Sequence, residues 1–238
     1  MLPLFRKLSI VLLLLGLLTA AAGFFAWRHF MTFADTPIGA PEGSALIVVR
    51  GDAFAQVLAK LRVAGVTAGH DLEWTLLAAR MQALGRIQAG EYALDPNLNP
   101  RALIDKLVRG EVIHHRFTLV EGWSMRDLRA ALDRHEALTN DVAALDDAAL
   151  MVAIGRAGIP AEGRFLPETY LFTRSERALS LLDRAADAMD VALRDVWAER
   201  QPDLPLSTPG ELLTLASIIE KETGKASERA EIAGVFVR

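Results

Sequence analysis

Thr208-Pro209-Gly210-Glu211-Leu212-Leu213-Thr214-Leu215-Ala216-Ser217-Ile218-Ile219-Glu220-Lys221-Glu222-Thr223-Gly224 is the stretch whose reading decides the C-terminal half of the chain. Thr208 is an N-cap residue, Pro209 fits the first helical position, and Glu211 can reach back to the cap. Leu212, Leu215, Ala216 and Ile219 then recur at helical spacing, and Gly224 is placed to end the helix. Glu222 falls three residues after Ile219, four after Ile218 and seven after Leu215, so it borders the apolar stripe. Glu220 borders the other side, near Leu213 and Ala216. A carboxyl group against apolar neighbours has its charged form disfavoured, which suits a general acid working near neutral pH. Two solvated glutamates flanking Lys221 fit the same spacing, and the helical wheel prefers Glu222 over Glu220 only slightly.

Beyond Gly224, Ser227 opens another helix in which Ile232, Val235 and Phe236 form a stripe. No stop signal precedes Arg238, so the domain is expected to be C-terminally incomplete and its activity as a separate piece reduced. Upstream, Glu111 to Val120 alternates as a strand, with Ile113, His115, Phe117 and Leu119 on one face. Ser124 caps a helix, with Asp127 in a capping-box position. Ala130 to Gly158 and Ala178 to Arg200 read as alanine-rich helices, separated by a loop and strand over Glu162 to Phe172.

The first half reads as a small unit of strand, two helices and a returning strand. Ala45 to Arg50 is strand-like, and Asp52 offers an N-cap for a helix carrying Phe54, Val57, Leu58 and Leu61. A second helix is expected from Asp71 to Leu84, and a second strand over Ile87 to Leu94. Asn99-Pro100 then starts a short helix that stops at Gly110. Thr36 to Ser44 is rich in Pro and Gly and reads as a tether. The fold class is α+β.

Leu8 to Trp27 is a run of 20 residues without a charge, preceded by Arg6 and Lys7. As a helix it would rise about 30 Å, enough to cross a hydrocarbon core. A cleaved signal peptide ending near Ala20-Ala21-Ala22 is the competing reading. The apolar run continues through Phe24, Phe25 and Trp27, which favours a retained anchor with Trp27 at the interface. The basic pair before the run places everything after it outside the cytoplasm.

Composition narrows the function classes. With 26 Lys and Arg against 30 Asp and Glu, and no basic block, nucleic acid is not an expected partner. The chain has no cysteine, which removes disulfides, thiolate nucleophiles and cysteine metal sites. His114 and His115 are adjacent on a strand and point to opposite faces, so they do not chelate together. No metalloprotease, nucleophile-elbow or phosphate-loop motif is present.

The segment Leu215 to Phe236, with its Glu220-Lys221-Glu222-Thr223 core, closely resembles the signature of the YceG-like family, the MltG endolytic murein transglycosylases. Val120-Glu121-Gly122 resembles the family's entry into its catalytic domain. Glu162-Gly163-Arg164-Phe165-Leu166-Pro167-Glu168-Thr169-Tyr170 resembles its E-G-x-x-x-P-[DE]-T-Y segment. The unit holding Gly90-Glu91-Tyr92 resembles the family's LysM-like domain.

The resemblance implies an anchor over 1–30, a linker over 31–42, a LysM-like domain over 43–112 and a catalytic domain over 113–238. It implies that Glu222 is the catalytic acid, acting alone where ordinary glycosidases use two carboxylates. Glu222 would protonate the oxygen bridging N-acetylmuramic acid and N-acetylglucosamine. It would then take the proton of the muramyl C6 hydroxyl as the 1,6-anhydro ring closes. Glu162, Glu168, Tyr170 and Glu220 are the candidates for contacts to glycan. No metal and no organic cofactor is implied. Expected partners are peptidoglycan strands, the inner membrane and cell-wall synthesis proteins, with the working part in the periplasm. A non-catalytic, membrane-tethered peptidoglycan-binding module is the alternative, and the intact Glu-Lys-Glu-Thr segment favours the enzyme.

Overall fold

The computed structural model describes residues 2–236, with side chains described over 12–236. The chain is a mixed α/β protein of two compact units, 1–113 and 114–238.

The first unit begins with one unbroken helix, α1 (Leu2–Asp35). Its apolar part is exposed, from Leu12 through Phe25, as a helix meant for lipid would be. Its last turns are not. Phe33 and Ala34 are buried, and Phe33 packs edge-on against Trp74 with ring centroids 5.6 Å apart. Gly69 makes this possible: its φ is +61°, and a Cβ there would lie 2.1 Å from the Phe33 ring.

The segment after α1 departs from the expected tether. Ile38 and Ala40 are buried, the Ile38 amide donates to the Leu98 carbonyl at 2.7 Å, and the Thr67 amide donates to the Ile38 carbonyl at 3.2 Å. The Pro and Gly residues shape a strap, while the apolar residues between them enter the core. The helix and the unit are thus joined by packing and not by a loose linker.

Strands β1 (Ala45–Val48) and β2 (Gly90–Ala93) pair antiparallel, with Leu46 opposite Tyr92. Helices α2 (Phe54–Val63), α3 (Asp71–Arg80) and α4 (Pro100–Arg109) cover them. Val57, Leu58 and Leu61 of α2, Trp74 and Leu77 of α3, and Leu103, Ile104 and Leu107 of α4 meet in one core. Burying each such large side chain contributes roughly 1.5–3 kcal/mol. The Asn99 side chain accepts the Ala102 amide at 2.8 Å, and Gly110 closes α4 at φ 69°, as the sequence leads one to expect. Asp52 does not cap α2; its carboxylate accepts the Val49 amide and pairs with Lys60. Helix α3 stops at Arg80, short of Gly85, because Gln82 takes φ 54° and turns Ala83 into the core.

In the second unit, β3 (His114–Thr118) pairs antiparallel with β4 (Thr169–Thr173), Phe117 opposite Tyr170. Helices α5 (Met125–Asp133), α6 (Asp147–Ala153) and α7 (Ala178–Ala198) enclose a core that includes Leu128, Leu132, Leu150, Met151, Leu181 and Leu182. The stretch 130–158 is not one helix. Between α5 and α6 the chain holds Thr139, Asn140 and Asp141, whose side chains bond elsewhere: Asn140 to Asp133, and Asp141 to the Leu179 amide and Arg177. Arg156, largely buried, reaches Asp183 at 3.1 Å, Asp187, and Asp190 at 2.9 Å along one face of α7. Helices α8 (Pro209–Glu222) and α9 (Arg229–Phe236) follow, with no fully buried residue in either.

Candidate functional site

Three pieces of the second unit frame a cleft of about 650 Å³: the loop from β3 to α5, the segment 160–167, and the inner face of α8. That volume lies within the roughly 300–1,000 Å³ of small-molecule sites. The loop turns through Gly122 at φ +72°, a conformation that favours glycine. Ser124 then starts α5, its amide and hydroxyl both donating to the Asp127 carboxylate. That carboxyl is held below the usual aspartate range by these Ser124 hydrogen bonds.

Glu162 anchors the second piece to the first. Its carboxylate accepts the Met125 amide at 3.1 Å, one of the orphan donors of the first turn of α5. Lys221 anchors the third, donating to the Gly122 carbonyl. Trp123, Arg164 and Glu220 also line the cleft, with the hydroxyl residues Thr214 and Ser217 on α8. Aromatic, cationic and hydroxyl groups thus share one concave surface.

The five expected site residues are not all in the cleft. Glu162 and Glu220 line it. Glu220 is about one-third exposed and pairs with Arg229 at 3.3 Å. Glu222 is exposed at the last position of α8 and does not line the cleft. Glu168 is exposed, and its backbone carbonyl accepts the Leu119 amide at 2.9 Å. The Tyr170 hydroxyl donates to the Leu166 carbonyl at 2.7 Å, and burial, with the charge of Glu168, pushes it above the usual phenol range. Glu168 directly follows the segment 160–167 that carries Glu162, Tyr170 lies on β4, and neither is among the walls of the cleft.

A second arrangement surrounds Glu222 from behind. Thr223 is buried, its hydroxyl donating to Glu228 at 2.8 Å and accepting the Lys225 amide at 3.0 Å. Lys225 donates to the other Glu228 oxygen at 3.0 Å. The Glu228 carboxyl lies below the usual glutamate range because Lys225 and Thr223 hydrogen-bond its charged form. This network fixes the turn that follows α8, and hence the backbone bearing Glu222. The sequence reading overlooked Trp123, Arg164, Lys221 and Thr223. Trp123 directly follows the quoted Val120-Glu121-Gly122 and the other three lie inside quoted motifs, yet only the folded arrangement gives each a task.

The model of the YceG-like family matches residues 46–238, most of the chain. The chain belongs to the YceG-like family. Among its relatives is the endolytic murein transglycosylase of Streptococcus pneumoniae serotype 2, 26% identical over 92% of this chain and 44% of that protein. The endolytic murein transglycosylase of Bacillus subtilis strain 168 is 25% identical over 63% of this chain and 46% of its own length. This YceG-like chain therefore spans about half the length of the curated relatives it matches. A crystal structure of a YceG-like protein from Listeria monocytogenes aligns with 78% of this chain and 66% of that one, at 18% identity and a TM-score of 0.33. The N-terminal apolar helix of this YceG-like chain fits a single-pass membrane anchor.

Proposed function

We propose that this protein cuts peptidoglycan glycan strands from within, at the bond between N-acetylmuramic acid and N-acetylglucosamine, leaving 1,6-anhydro-muramyl ends. The observation that carries this reading is the cleft against α8, at whose end stands the Glu-Lys-Glu-Thr segment of a YceG-like chain. In this account α1 holds the protein in the inner membrane, and the rest works in the periplasm. The unit over 43–112 acts as the LysM-like glycan holder, and 113–238 carries the chemistry.

Glu222 is the proton donor in this reading. It protonates the bridging oxygen as the C1–O bond breaks, then accepts the C6 hydroxyl proton as the muramyl O6 bonds to C1. The same carboxyl is regenerated in its acid form, so one group serves both halves of the step. Trp123 gives a sugar ring an aromatic face, while Arg164, Thr214 and Ser217 bond its polar groups. The test is mass spectrometry of murein treated with the protein. Anhydro-muramyl ends together with a shortened chain-length distribution are expected. Reducing muramyl ends would instead indicate hydrolysis by water.

A second assignment of the acid has an observation in its favour. Glu220, not Glu222, lines the cleft. Glu220 is already engaged, however, in an ion pair with Arg229 at 3.3 Å. Glu222 is preferred because it is the second glutamate of the Glu-Lys-Glu-Thr segment, the position to which the family resemblance assigns the acid.

A further inference from the structure

We propose that the turn from Arg80 to Arg86, at the end of α3, rests on the phospholipid headgroup layer beside the point where α1 leaves the membrane. The inference depends on reading α1 as a retained anchor, and it concerns the first unit alone.

Two contacts fix the direction of α3 along α1. Phe33 packs on Trp74, and Trp27 lies under the Arg80 guanidinium, 4.9 Å from the ring centroid. Moving six residues back along α1, from Phe33 to Trp27, moves six residues forward along α3, from Trp74 to Arg80. Each step is about 9 Å at the rise of an α-helix. The end of α3 therefore descends toward the bilayer as α1 enters it. Trp27 closes the charge-free run and is half exposed, which places its ring at the headgroup level. Arg80 stands at that same level.

The turn has the composition of an interfacial contact. Leu84 is 45% exposed although its neighbour Ala83 is buried. Arg28, Arg80 and Arg86 are exposed, and among the described residues no carboxylate forms an ion pair with any of them. An apolar side chain flanked by arginines that no carboxylate pairs fits acyl-chain boundary and anionic phosphate respectively. Because α1 is unbroken and its end is packed into the core, the unit has little freedom to lift this turn away. The contact would set the height and orientation at which the first unit is presented to the wall.

The chain has no cysteine, so single labels can be introduced without background. The full chain carrying Leu14→Cys, Leu84→Cys or Asn97→Cys, each with an environment-sensitive fluorophore, is placed in vesicles of phosphatidylethanolamine and phosphatidylglycerol. Asn97 lies next to Leu98, whose carbonyl binds Ile38 beyond the end of α1, on the side away from Trp27. A nitroxide on the lipid headgroup should quench the label at 84 at least about twofold more than the label at 97. Arg80→Ala with Arg86→Ala should reduce that difference. An acyl-chain nitroxide should quench the label at 14. Quenching at 14 with equal quenching at 84 and 97 overturns the docking and leaves the anchor standing. No quenching at 14 removes the anchor and the docking with it.

Discussion

The Thr223 hydroxyl donates to the Glu228 carboxylate at 2.8 Å, so the residue directly after Glu222 is tied to the start of the next helix. A carboxyl group at the exposed end of a helix has many rotamers and a fraying backbone. A buried partner on the adjacent residue removes the second freedom.

Thr223→Val should therefore lower kcat on murein by about 10- to 100-fold with a smaller change in KM, since misplacement of about 1 Å can cost that much. Thr223→Ser keeps the hydroxyl and should recover most of the loss. Full activity in Thr223→Val together with a loss in Thr223→Ser would mean that the methyl packing, not the hydrogen bond, positions the helix end.

The Glu228 carboxyl should titrate below the ordinary glutamate value of 4.5. Its folded value is depressed, so its contribution to stability is complete above the unfolded value and is lost as pH falls through the folded one. Carbon-13 titration of the Glu228 carboxyl measures this directly, and in Thr223→Val the midpoint should rise. An unchanged midpoint would separate Thr223 from the network.

Lys221→Met removes the donor to the Gly122 carbonyl and frees α8 from the loop before α5. A hydrogen bond worth about 1 kcal/mol corresponds to roughly fivefold in binding. Weaker glycan binding with a retained fold is the expected outcome, read by binding to soluble glycan fragments and by circular dichroism. Full affinity in this variant would show that the cleft does not depend on this tie.

Arg156→Leu should destabilise the second unit by about 1–3 kcal/mol, because one side chain bonds three aspartates of α7. The aspartates are partly solvated, which limits the loss. Thermal unfolding should shift down by several degrees without a change in the cleft's affinity.

Local signals carried much of the architecture. The Asn99 cap with Pro100 and Gly110, the Ser124–Asp127 box and the Thr208 cap all lie where their side chains bond the nearest free amides. The alternation of Phe117 and Leu119 into the core was equally plain, since a strand with one buried face permits a single phase. What the sequence concealed depends on distant pairs. Gly122 and Lys221 are 99 positions apart, and Met125 and Glu162 are 37 apart, and no periodicity announces either. The strap over 36–44 misled for another reason: proline and glycine mark a turn equally in a loose linker and in a segment pinned to a core. Of the site, two separate motifs pointed to Glu162, Glu168 and Tyr170 and to Glu220 and Glu222, while the division between cleft wall, strand and helix end belongs to the folded chain.

In the proposed reaction Glu222 delivers the proton, although Glu220 is the carboxylate within the cleft. Glu222→Gln and Glu220→Gln, each checked for an unchanged fold, should be compared by mass spectrometry of anhydro-muramyl ends formed on purified murein. An amide cannot donate the proton, so Glu222→Gln should form none above background, while Glu220→Gln should retain substantial activity. The reverse pattern, activity lost in Glu220→Gln and kept in Glu222→Gln, would make Glu220 the proton donor instead.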